Sequence, residues 1–205
     1  MRNLSRGIFA MLMAAALSCG PSAKEEAKKV VPKAPPEPVT GLTGIFRCYQ
    51  ATRSWATDLQ ILRAQNLHIN GMAAPAGKAY AWRTEFVSPS KKRSKTCTFS
   101  VVAADGVMEG IFNAGEDSYN GPTKIAQPFI IQAVKKDTDA IWEEASANSQ
   151  GYAKKNPDAP ITFLLEYTDR NPVVAWRVLW GLSPSSSPYS VFVDATRGTF
   201  LKKAF

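Results

Sequence analysis

The chain has 205 residues, with 25 Lys and Arg against 17 Asp and Glu for a formal charge of +8, one histidine and three cysteines. One His and three Cys are too few soft ligands for a metal site, and a mild basic excess without a dense basic face interleaved with aromatics excludes a nucleic-acid surface. There is no phosphate loop, no Gly-x-Ser-x-Gly and no second histidine, so no enzyme class has a motif in its favour and no cofactor is implied.

Residues 1–18 carry Arg2 and Arg6, then an apolar run from Ile8 to Leu17, then Ser18-Cys19-Gly20. A charged start, a short apolar run and a small residue at the cut make a secretory signal, since a membrane span needs about twenty apolar residues. Ala16-Leu17-Ser18-Cys19 resembles a bacterial lipobox, in which Cys19 becomes the lipidated first residue; an ordinary signal cut nearby is the other reading. Residues 19–42 hold five prolines among Lys and Glu, a composition that buries too little apolar surface to offset ordering entropy. They read as a tether, reaching about 70 Å if extended at ~3.1 Å per residue. Loss of Arg2 and Arg6 with the leader leaves 23 basic against 17 acidic residues, a net +6.

The folded part is expected from Thr43 onward, as a first unit over 43–128 and a second over 129–205. In the first, 44–50 is mildly extended, and the spacing of Trp55, Leu59 and Leu62 predicts a helix over 54–66. Strands are predicted over 78–87, 95–103 and 107–113. Between the first two lie Lys91, Lys92, Arg93 and Lys95, four cations at a hairpin tip. They are either a contact for anionic lipid or an acidic partner, or a solvated tip that discourages edge pairing. Cys48 and Cys97 remain after Cys19 is assigned; in an oxidising compartment they pair as a disulfide, with two separate buried thiols as the alternative. His68 stands alone before Asn70-Gly71 and reads as a surface or capping residue.

In the second unit, 129–134 is a short strand or an apolar docking segment. A helix is predicted over 137–155, capped by Asp137 or Thr138 and stopped at Asn156-Pro157, with Ile141, Ala145 and Tyr152 inward. Ile161, Phe163, Leu165 and Tyr167 alternate along the next strand. Val174, Trp176, Val178 and Trp180 then share one face of another, with Ala175, Arg177 and Leu179 on the opposite one. After a Ser/Pro loop, Tyr189, Val191 and Val193 alternate again, and Asp194 to Gly198 turns the chain into Thr199-Phe200-Leu201.

The phrase Ala175-Trp176-Arg177-Val178, a loop, then 189–201 resembles the C-terminal half of a PepSY domain, a family of peptidase propeptides and related domains. A weaker copy starts at Ala81-Trp82-Arg83-Thr84, which suggests an internal duplication. The resemblance implies an α+β fold of two αβββ units, each a helix on a small antiparallel sheet in the cystatin-like manner, without catalytic residues. Arg83 and Arg177, each beside a Trp on the outer parity, are the repeat's most regular polar feature and candidates for contacting an acidic partner.

The function expected is a non-catalytic, membrane-tethered extracytoplasmic module, anchored through its N-terminal lipid and acting on an envelope protein, a protease being the class the resemblance suggests. A binder of a small or lipidic ligand, with a cleft among Trp55, Trp82, Trp142, Trp176 and Trp180, is the alternative.

Overall fold

The computed structural model describes residues 35–104 and 106–204; the signal 1–18, Cys19 and most of the tether lie outside the described residues. The first half contains β1 (Val39–Thr40), α1 (Gly41–Thr52), β2 (Gln60–Leu67), β3 (Lys78–Ala79), β4 (Ala81–Ser88), β5 (Arg93–Ser100) and β6 (Gly110–Ser118). A 3-10 turn at Ile131–Ala133 leads into α2 (Thr138–Ala147), α3 (Tyr152–Lys155), β7 (Ile161–Glu166), β8 (Ala175–Trp180), β9 (Tyr189–Asp194) and β10 (Phe200–Lys203). β1 pairs with β3, and the other eight strands form one antiparallel sheet in the order β10-β9-β8-β7-β2-β4-β5-β6.

Two separate αβββ units are therefore not what the chain builds; the described residues are mostly β, with a single continuous eight-stranded sheet and three short helices. The overturned element is 54–66, expected as a helix and observed mainly as β2. β2 pairs with β4 on one side and β7 on the other, with Ala64 opposite both Thr84 and Leu165, and so fuses the two halves into one sheet. Its register against β4 shifts between Ile61 and Arg63, leaving Leu62 as an extra residue. Inward side chains then fall at Ile61, Ala64 and Asn66, and the step of three imitates a helical turn. Leu62 is thrown to the other side, where it packs on Val87 and Tyr119.

The helix of the first half lies where the sequence looked mildly extended, and it starts before the expected boundary at Thr43. Its buried positions, Gly41, Gly44, Ile45, Cys48 and Thr52, recur at helical spacing, but only Ile45 among them is a large apolar residue. Leu42 and Tyr49, partly buried against the core, complete its apolar pattern, and it is Gly41 and Gly44 that weaken the helical signal. Cys48 and Cys97 form a disulfide with Cα atoms 5.6 Å apart. It ties α1 itself to β5, rather than a segment before the first helix as the sequence suggested.

Helix starts meet at one carboxylate. Asp137 is the N-cap of α2, accepting from Thr138 N at 2.7 Å, and it also accepts from Leu42 N at 2.9 Å. Thr138 Oγ1 takes the Gly41 amide at 2.8 Å. The N-cap of α1, Thr40, makes no side-chain capping bond of its own, so the orphan amides of that helix are satisfied from the other half of the chain. The predicted helix 137–155 is broken after Ala147, where Gln150 (φ 53°) and Gly151 (φ 81°) take left-handed conformations before α3.

Trp82 and Trp176 occupy corresponding places, each in the second strand of its four-strand half. Trp82 Nε1 donates to Val39 O at 3.1 Å and Trp176 Nε1 to Lys136 O at 3.2 Å, in both cases a carbonyl two residues before the helix of that half. The two indoles meet edge to face at 6.2 Å, with Phe163 6.4 Å from each. The core is centred there, and α1 and α2 both bury their inner residues against it.

Candidate protein-binding face

Antiparallel pairing places directly opposed residues on the same face, so the register assigns every strand residue to one side of the sheet. Trp82, Phe86, Cys97, Phe163, Trp176, Val178 and Val191 share the side on which α1 and α2 bury Ile45, Cys48, Ile141 and Ala145. Tyr152 of α3 stacks on Tyr189 of that same side at 4.5 Å. The opposite parity carries no helix among the described residues, and it is the parity of Arg83 and Arg177.

On that face one row crosses all eight strands: Phe112, Thr98, Arg83, Gln65, Leu164, Arg177, Phe192 and Lys202 are successive opposed residues from β6 to β10. Arg83 and Arg177 are thus three strand spacings apart, about 14 Å. Phe192 is buried although no helix lies over it, because Arg177 and Lys202 flank its ring, each 5.5 Å from the centroid. Their cationic heads lie over the ring, a cation–π arrangement that shields it from solvent. Lys202 Nζ donates to Arg170 O at 2.7 Å, and Arg177 Nε to Ser190 Oγ at 3.1 Å.

A second row runs beside it through Thr96, Glu85, Arg63, Glu166, Ala175 and Asp194. Arg63 Nε lies 3.0 Å from Glu85 Oε2. Burial pushes the Glu166 carboxyl above its usual range, while the charges of Arg177, Arg63 and Arg170 pull it down. Burial likewise lowers Arg177, against the pull of Glu166. Asp194 belongs to the turn: its carboxylate accepts from Thr196 N at 2.7 Å and Arg197 N at 3.0 Å, ahead of Gly198 at φ 76°. The Val193-Asp194-Ala195 phrase that carries the family resemblance has a structural role here.

The hairpin-tip cations are not gathered with Arg83 and Arg177. Arg93 and Lys95 stand on the helix-bearing parity, opposite Ser88 and Phe86. Lys91 and Lys95 lie over the Trp55 ring at 5.4 and 5.7 Å, and Trp55 Nε1 donates to Glu116 Oε1 at 2.7 Å. Lys92 sits in the turn at φ 53°, its carbonyl accepting from Tyr119 N. Asp58 holds that turn, accepting from Ser88 Oγ at 2.6 Å and Ser90 N at 2.7 Å, bonds that lower its carboxyl.

His68 bridges the central strands. Its Nε2 is 2.7 Å from Thr162 Oγ1, and that hydroxyl donates to Gly181 O at 2.6 Å. With the hydroxyl proton used, Nε2 must be the donor to Thr162, and burial keeps the imidazole below its usual pKa. The geometry is that of a strut between the end of β2 and β7, without a free basic nitrogen at this contact. The tryptophans proposed as a ligand cleft are in ring contact instead: Trp82 with Trp176, and Trp142 with Trp180 at 5.6 Å, while Trp55 lies out at the tip.

Sequence reasoning missed Arg63, Gln65, Phe192 and Lys202. The signal was present in their parity, but it becomes readable only once β2 is known to be a strand. No protein-family model, curated protein or solved structure matches this chain, so the PepSY resemblance finds no independent support and the case for function rests on the geometry.

Proposed function

We propose that this chain is a non-catalytic, membrane-tethered module of the cell envelope that binds another extracytoplasmic protein through the helix-free face of its sheet. The observation that carries this reading is the unbroken row from Phe112 to Lys202 on a face that no described helix covers. Arg63, Arg83, Arg177 and Lys202 stand against Glu85, Glu166 and Asp194 in the two central rows, a slight basic excess in keeping with the net charge of the chain. An acidic protein surface is its complement, steered in by charge and held by guanidinium groups that pair with carboxylates in a forked geometry. A protease is one such partner, the class to which the resemblance pointed. His68 engaged as a donor and Glu166 set among arginines support a binding role over acid/base chemistry.

Arg83 and Lys202 are exposed and lie outside the main core, so reversing both charges disturbs at most the cover over Phe192. Arg83→Glu with Lys202→Glu is expected to cut recovery of a specific partner from envelope extracts at least about tenfold, with the melting temperature changed little. Equal recovery by the double variant sinks the reading. The anchoring part is tested separately. Cys19→Ser is expected to move the protein from the membrane fraction to the soluble one with its fold intact; protein that still sediments after a salt wash is not anchored by lipid at this residue.

A further inference from the structure

The two edges of the sheet differ in how they are guarded. β10 is four residues long, its register shifts between Phe200 and Lys202, and it carries two lysines, Lys202 bonded to Arg170 O and Lys203 set 4.7 Å over the Tyr189 ring. Shortness, irregularity and lysine are the devices that keep an edge from pairing with another chain. β6, at the other edge, shares the irregularity, with a register shift of its own, and carries Glu116 and Asp117, but it is nine residues long and contains no Lys, Arg or Pro. Among the described residues it pairs with β5 alone, and its apolar side chains are exposed there, Ile111 at 40% and Phe112 at 46%. It is also held in place from within. Thr52 Oγ1 donates to Asn113 Oδ1 at 3.2 Å and Trp55 Nε1 to Glu116 Oε1, so its outward edge is presented by a fixed strand.

We infer that β6 is a strand-addition site that accepts an extended segment of the partner polypeptide as a ninth strand. This rests on the protein-binding reading above and names the element that the partner contributes. The register against β5 shifts between Lys95 and Cys97, which places an extra residue at Ala114 or Gly115, and Gly110 has φ 95°, so Ile111 to Asn113 is the regular stretch. Main-chain bonds form there, beside Ile111 and Phe112, and call for apolar side chains on the incoming strand. The only charges on β6 are Glu116 and Asp117, so the incoming segment carries Lys or Arg at the end lying beside them. A second copy is a poor occupant: parallel β6–β6 pairing sets acid against acid, and antiparallel pairing sets acid against the apolar end. Phe112 closes the row that contains Arg83 and Arg177, so an added strand continues the binding face without a break.

The test uses the whole folded chain and a synthetic peptide of about eight residues, alternating Val and Thr with two Lys at one end. Its controls are the same peptide with Glu for Lys and a version N-methylated at alternate amides. The Lys peptide is expected to bind at least about tenfold more tightly than the Glu peptide, and the N-methylated one not to bind. Hydrogen exchange of amides 110–118 slows on binding. Phe112→Lys, which gives this edge the guard the other one has, abolishes binding, while Lys203→Glu at the far edge leaves it unchanged. No binding of the Lys peptide, protection that falls outside β6, or full affinity in Phe112→Lys overturns the inference. So does a peptide-free dimer in sedimentation with 110–118 already protected. Because the peptide reads the edge and the Arg83/Lys202 reversal reads the face, failure of one leaves the other standing.

Discussion

Gly44→Ala is expected to destabilise the protein by about 3 kcal/mol or more, at the upper end of what overpacking a core costs. Gly44 lies on the inner face of α1, and a methyl group added there would stand 2.4 Å from Trp82 Cγ, 2.5 Å from Cδ1 and 2.6 Å from Cβ. None of these atoms is the free end of a flexible chain. Cβ and Cγ are fixed to the backbone of β4, and the indole is pinned by its bond to Val39 O and by the rings of Trp176 and Phe163. To make room, either α1 lifts off the sheet or the indole leaves its place in the core, and Cys48 in the same helix is covalently held to β5. Gly115→Ala is the control, since an added Cβ there meets nothing within 4 Å. Urea unfolding of the two variants measures the difference; a Gly44→Ala protein as stable as the wild type would mean that α1 does not pack on Trp82 as described.

The same glycine helped to hide α1 in the sequence. Leu42, Ile45, Phe46 and Tyr49 recur at spacings of three and four, but Gly41 and Gly44 among them, small because the Trp82 indole of the sheet comes close there, argue against a helix. The second half was legible because its burden is reversed: Phe163, Leu165, Trp176, Val178, Val191 and Val193 carry the core from strict alternation in β7, β8 and β9. Where alternation was interrupted, by the extra Leu62 in β2 or the left-handed Gln150 and Gly151 after α2, a period rule returned the wrong element or the wrong end. The first of these accounts for the mistaken architecture, since a strand at Gln60–Leu67 is what joins the halves.

For the candidate face, parity in the sequence already set Arg83 and Arg177 outward from their tryptophans. What parity cannot give is alignment between distant strands, and the meeting of Arg177 with Phe192, or of Arg63 with Glu166, depends on register. The tip cations misled for a different reason. Lys91 and Lys95 look unattached in a Ser/Lys/Arg run, but Trp55, in the connector between α1 and β2, folds under them.

Removing the disulfide by Cys48→Ala with Cys97→Ala is expected to cost about 4 kcal/mol, the chain-entropy value for a closed loop of about fifty residues; the two cysteines are separated by 49 positions. Both are fully buried, and Cys97 lies opposite Thr84 on the helix-bearing side. The bond adds a covalent tie to a modest apolar contact. Burying Ile45 contributes roughly 1.5–3 kcal/mol, the partly buried Leu42 and Tyr49 add to it with Tyr49 6.4 Å from Phe86, and the rest of the inner face is Gly41, Gly44 and Thr52. α2 is held without such a link, by the buried Ile141 and Ala145 and by Trp142 on Trp180 at 5.6 Å. The loss should therefore be local in its signature. Amides of α1, β5 and β6 are expected to exchange faster in the double variant, or in the wild type under reductant, while those of β7 to β9 stay protected nearly as before. A uniform rise in exchange across the sheet would show that the two halves unfold as one unit; an unchanged midpoint under reductant would show that the bond does not stabilise the fold at all.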